Sequence, residues 1–184
     1  MSEVAAQVPA MGPGNVGWEI RPARAEDAPG VAAAVAALVA ELGGSPPPRA
    51  AIESEARAHI GDPALGIVLV ASADPDPTAS PRSSADGAPK GELVGALTAS
   101  WARAIQVAGR LLTIEVLWTR REWRDRGVGA ALVEALASAA AAEGAGRVEV
   151  GLPRESFAAL RATERFYLAN GFERLGPRMR RAVP

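Results

Sequence analysis

Residues 123–132, Trp-Arg-Asp-Arg-Gly-Val-Gly-Ala-Ala-Leu, crowd three charges against two glycines and then run into an alanine-rich stretch. Glycines at the mouth of a helix leave backbone N–H groups uncovered, and the helix dipole adds ~0.3–1 kcal/mol of preference for an anion there. The chemistry open to such a turn is the holding of phosphate. A dinucleotide-binding fingerprint needs a third glycine, but Leu132 stands in its place; a P-loop needs Gly-Lys-Ser/Thr, which is missing. Two readings remain: an ordinary strand-to-helix turn, or a shorter device, Arg124-x-x-Gly127-x-Gly129, that wraps a pyrophosphate with backbone amides. Elsewhere reactive side chains are few. The chain has no cysteine, which excludes a disulfide framework, a thiol nucleophile and a thiolate metal site. His59 is the sole histidine, so a Ser-His-Asp triad would rest on one residue and a multi-histidine metal site is excluded.

The elements around the turn follow from hydrophobic period and breakers. Residues 18–23 alternate as a short strand, and 25–42 place acids and Pro29 in the first turn of a long apolar helix stopped by Gly43 and Gly44. After a Ser-Pro-Pro-Pro linker, 49–60 form a more polar helix containing His59, and 66–72 read as a buried strand. Residues 73–90, rich in Pro, Ser, Asp and Ala, cannot supply a core and read as a flexible loop between two strands. Segments 91–104 and 110–120 make a long hairpin. A helix over 128–143, a strand over 147–153, a helix over 156–169 and a closing strand region from 171 complete the chain. Strand, helix, strand, helix around the glycines favours an α/β sheet over a bundle.

Composition bounds the rest. With 184 residues and 48% apolar content the chain suits one domain over 18–184, preceded by a disordered tail over 1–17. Aromatics are only 4%, so the core must be built of Ala, Val and Leu. The longest apolar run, 31–40, is far shorter than the ~20 residues of a bilayer span, and the tail lacks a basic start followed by an apolar stretch. A cytoplasmic protein without membrane or nucleic-acid partners is expected; the net charge is −1, and the basic end at 178–181 has no aromatic interleaving.

The turn resembles that of the GCN5-related N-acetyltransferases, Arg/Gln-x-x-Gly-x-Gly/Ala. Phe166-Tyr-Leu-Ala-Asn-Gly-Phe172 resembles the family's aromatic-Tyr-x-x-x-Gly-Phe close. The resemblance covers residues 18–180 in element order, with specific motifs confined to 113–172. It implies an α/β fold with a mixed, mostly antiparallel sheet, a parallel pair splayed at the cofactor cleft, and flanking helices. It further implies acetyl-CoA as cosubstrate, no metal, and direct transfer of acetyl to a primary amine in a ternary complex. The turn residues Arg124, Asp125, Arg126, Gly127, Val128, Gly129 and Ala130 would bind the coenzyme with Leu117, Trp118 and Thr119 of the preceding strand, whose amides at Leu117 and Thr119 would hold the acetyl carbonyl. Glu115, on an otherwise apolar strand, takes the family's base position, where a half-buried strand would raise its pKa and suit it to proton abstraction; its alternative is a carboxylate that faces solvent or pairs with an arginine on a neighbouring strand. Tyr167, the only tyrosine, takes the place of the acid near the coenzyme sulfur; its alternative is a packed aromatic beside Phe166.

This chain departs from the family at four places. Thr119 and Arg121 stand where Val and Pro are usual, Asp125 where Gly is common, and Leu160 where an Asn is frequent. These departures keep open a coenzyme-A-binding module without turnover, or a transferase of a different acyl-CoA. The acceptor, a small-molecule or peptide amine, would be bound by segments with no diagnostic motif, and homodimer formation is a family trait invisible in the sequence. His59 reads as a surface residue, and Trp101, Trp118 and Trp123 as packing residues.

Overall fold

The computed structural model describes residues 17–73 and 91–176. The elements are β1 (Trp18–Pro22), α1 (Ala28–Glu41), α2 (Arg49–Gly61), β2 (Gly66–Ala73), β3 (Leu93–Ala104), β4 (Gly109–Thr119), α3 (Val128–Ala142), β5 (Val148–Val150) and α4 (Leu160–Ala169). One sheet runs in the order β1-β2-β3-β4-β5; its first three pairings are antiparallel and β4–β5 is parallel. This is the expected mixed sheet, and helices cover both of its faces.

The period-2 alternation of β2 sorts the helices. Leu69, Ala71 and Ala73 face α3, where Val128, Leu132, Val133, Leu136 and Ala140 complete the main core with Leu97, Leu112, Ile114 and Tyr167. Val68 and Val70 face the other way, onto Ala28 and Val31 of α1 and Ala56 of α2. Arg21 fastens β1 to the start of α1, donating from Nη1 and Nη2 to the two carboxylate oxygens of Asp27 at 2.7 and 2.9 Å. At the far end of α1, Gly43 takes φ +75° and Gly44 donates to Val39 O at 2.9 Å, closing the helix with glycine as the sequence predicts.

One expectation is corrected, and a second is answered over only part of its range. The helix expected from residue 156 begins at Leu160; residues 154–159 form turns. The closing strand region shows no strand over 171–176. That segment is mostly exposed, with Gly171 and Gly176 at φ +82° and +97°, so it lacks the buried alternate face of a strand. The remainder of that region, the 74–90 part of the expected loop and most of the tail lie outside the described residues.

The pairings shift register twice, between β2 and β3 at Ala71/Ser72 and between β3 and β4. Thr98 pairs with Val116 but Ala99 pairs with Ile114, so Glu115 is an extra residue bulged out of β4. The β4–β5 pairing covers Leu112–Val148, Thr113–Glu149 and Ile114–Val150 and goes no further.

Close approach of α3 to the sheet depends on Gly95 of β3. A Cβ there would lie 2.9 Å from Val128 Cγ1 and 3.1 Å from Leu132 Cδ1. Gly95→Ala should therefore push the first turn of α3 off the sheet and lower unfolding free energy by about 1–3 kcal/mol in denaturant titration. Gly61→Ala, where nothing lies within 4 Å, is the control and should be neutral or slightly stabilising.

Candidate active site

Past the bulge, β4 keeps its pairing with β3 while its other edge is open among the described residues. The Arg120 N–H donates to Val94 O at 2.8 Å, so strand alternation turns the Leu117 and Thr119 amides away from β3, onto the open edge. Before the bulge, that edge is taken by β5: the Leu112 N–H donates to Arg147 O at 3.1 Å. The parting of β4 from β5 thus leaves a row of backbone groups aimed into a cleft.

The glycine turn stands at the end of this row. Gly127, at φ +81°, is the N-cap of α3, and no side chain caps the helix. The Ala131 N–H makes the first helical bond to Gly127 O, so the amides of Val128, Gly129 and Ala130 precede it and have no intrahelical acceptor. Asp125 takes φ +60°. A left-handed residue at this place explains why glycine is common there in the resembled family; Asp is among the few L-residues that tolerate it. Gly129 sits against α4, where a Cβ would lie 3.4 Å from Phe166 Cζ. Arg124 donates from Nε to Thr119 O at 3.1 Å, and Arg126 lies over the Trp123 ring, 5.0 Å from its centroid. Bare amides, two left-handed residues and nearby guanidinium groups fit a pyrophosphate.

Ile114 and Leu117 both pack in the α3 core, so the two residues between them, Glu115 and Val116, turn toward the α1 side of the sheet. Glu115 is exposed there, not half-buried as expected, because the bulge lifts it out of the ladder. Glu149, in register with Thr113 on β5, faces the same way. It is 6% exposed and paired with Arg147 Nε at 2.7 Å. This second carboxylate carries no motif; only the strand register identifies it.

Tyr167 lies on the α3 side, buried, its ring edge-to-face with Phe166 and Phe172 at 5.2 Å each. Burial pushes its hydroxyl up to about 12. Of the tryptophans, Trp101 and Trp123 pack at the rim of the main core, while the Trp118 N–H is buried without a hydrogen-bond partner among the described residues. His59 is not a free surface residue: Nε2 lies 3.3 Å from Ser100 Oγ and Nδ1 3.3 Å from Glu55 Oε1, tying α2 to β3. It also lines a pocket of about 180 Å³ with Pro63, Gly66 and Trp101, where β2 begins, at the opposite end of the strands from the turn. Among the described residues, no cluster of three or more His, Cys, Asp or Glu could hold a metal, and no helix is long and apolar enough to cross a membrane.

Solved structures share this architecture. A "possible acetyltransferase" from Clostridium difficile 630 superposes with TM-score 0.70 at 16% identity, covering 91% of this chain and 98% of that one. An aminoglycoside N-acetyltransferase in complex with CoA gives TM-score 0.70 at 15% identity, covering 94% and 99%. Glucosamine-6-phosphate N-acetyltransferase from Arabidopsis thaliana gives 0.64 at 13%, covering 91% and 99%. At these identities the likeness is one of fold. No curated protein matches by sequence. The acetyltransferase (GNAT) family model matches residues 72–172, more than half of the chain, across β3, the bulged β4, the glycine turn and the Phe-Tyr close. The chain belongs to the acetyltransferase (GNAT) family.

Proposed function

We propose that the protein is a cytoplasmic, single-domain N-acetyltransferase (residues 18–184) that moves acetyl from acetyl-CoA to a primary amine by direct attack in a ternary complex. The observation that carries this reading is the alignment of the open β4 edge with the bare-amide turn, with an exposed carboxylate at the point where β4 and β5 part. When bound, acetyl-CoA supplies an acetyl thioester. The amides of Val128, Gly129 and Ala130, with Arg124 and Arg126, hold the pyrophosphate. The Leu117 and Thr119 amides flank the pantetheine arm and donate to the acetyl carbonyl oxygen as negative charge develops on it. No covalent enzyme intermediate is required.

Glu115 is the base. It takes a proton from the ammonium form of the acceptor, directly or through water, so that the amine lone pair can attack. Tyr167 assists departure of the sulfur, and its pKa decides how. Full transfer from a phenol at about 12 to a thiolate near 8.5 is uphill by roughly 5 kcal/mol. Tyr167 therefore acts as a hydrogen-bond donor to the departing sulfur; the ammonium proton passes through Glu115 to solvent, and the second proton, lost from nitrogen as the amide forms, reaches the released thiolate through solvent.

Free-thiol release measured over a panel of amines tests these roles. Glu115→Gln should lower kcat by about 10²–10⁴-fold while acetyl-CoA still binds. Tyr167→Phe should lower kcat less, by about 10-fold, the worth of one donor. Unchanged rates in both variants would remove both assignments, and no turnover of any amine by a coenzyme-binding wild type would favour the non-catalytic module.

Tyr167 also offers a single-site optical readout, since it is the only tyrosine. Its native titration should centre at about 12 and its denatured titration near 10. Because the folded pKa is the higher, the associated stability is fully present below about 10 and is lost as pH rises toward 12. Tyr167→Phe should lack that alkaline loss. A native tyrosinate midpoint near 10 would contradict the burial.

A further inference from the structure

Arg124 already has a partner where the pyrophosphate should sit. While Nε donates to Thr119 O, Nη2 donates to both carboxylate oxygens of Glu41, at 2.7 and 2.8 Å. Glu41 is the last residue of α1 and lies 83 positions upstream. A guanidinium offers an anion two forks, Nε with Nη2 along its edge and Nη1 with Nη2 across its end. Both draw on the N–H groups of Nη2, which Glu41 engages with both of its carboxylate oxygens, so a phosphate must compete with Glu41 for a bidentate contact from Arg124. Until then, the Glu41 carboxylate also sets a negative charge beside the turn that must receive a pyrophosphate.

We propose that Glu41 is an internal competitor for Arg124: it weakens coenzyme binding, and binding hands Arg124 from the carboxylate to the phosphates. The inference rests on the reading of the turn as the pyrophosphate site. Arg124 does not need Glu41 to stay in place, because the Thr119 carbonyl holds Nε independently. Loss of the Glu41 charge should therefore strengthen coenzyme binding rather than disorder the site. The exchange also couples coenzyme occupancy to the end of α1, which leads through residues 42–48 into α2.

The test is calorimetric titration of the full chain with acetyl-CoA at low and high salt, for wild type, Glu41→Gln, Glu41→Ala and Glu41→Asp. Glu41→Gln and Glu41→Ala should bind about 3–10-fold more tightly at low salt, with the gain shrinking at high salt as screening weakens the competing charge. Glu41→Asp, which keeps the charge, should stay near wild type. The pair is about 40% exposed on both sides, so the unliganded variants should melt close to wild type. Equal or weaker binding by both charge-removing variants, in a protein whose wild type binds acetyl-CoA, overturns the competition and leaves the coenzyme reading intact. A wild type that binds no acetyl-CoA overturns the coenzyme reading, and the competition with it.

Discussion

At Ile114, β4 stops pairing with β5 while still pairing with β3, and every part of the candidate site depends on that asymmetry. A strand with both neighbours in place has no backbone group to spare. The extra residue at Glu115 marks the place where the two strands part, and no strand among the described residues pairs with the Leu117 and Thr119 amides on that edge. The same bulge shifts the side-chain alternation by one, so that Ile114 and Leu117 both reach the α3 core and the carboxylate between them faces the opposite side. Backbone donors and an acidic side chain thus arise from one local event in one strand.

The glycine turn completes the cleft because α3 is pressed hard against the sheet. Gly95 admits Val128 and Leu132, which fixes the start of the helix beside the open edge of β4. Phe166 then closes on Gly129 from α4, so the turn is supported from both sides by packing rather than by a capping side chain. The amides that a cap would have satisfied are left for a ligand. Around them the charge is balanced: Arg124 is shared between a carbonyl and Glu41, and Arg126 leans on Trp123.

Much of this was legible in the sequence, for identifiable reasons. Gly127, Gly129 and the alanine-rich run after them carry local conformational information, as do Gly43 and the continuous apolar run of β2, and the structure follows each. Pairwise relations between distant residues leave no such mark. Glu115 reads as a half-buried strand residue because a bulge is a property of two strands, not of one. Glu149 was invisible as a second carboxylate because its place depends on the register with Thr113. Glu41 ends a helix, where an acid is unremarked, and only the packing of α1 under β4 brings it to Arg124. His59 looked like a surface residue for the same reason: its partner Ser100 is 41 positions away.

The central claim is that the open edge of β4 and the bare turn of α3 form a coenzyme cleft. Its most direct test is the melting temperature of the protein with and without acetyl-CoA. At ~100-fold the dissociation constant, binding should stabilise the native state by ~2.7 kcal/mol, a rise of roughly 5–10 °C for a chain of this size. Gly129→Glu, checked to melt cooperatively without ligand, should show no rise, because its side chain and charge would occupy the phosphate position. No shift in the wild type up to millimolar acetyl-CoA would contradict the account and leave the turn an ordinary entry into a helix.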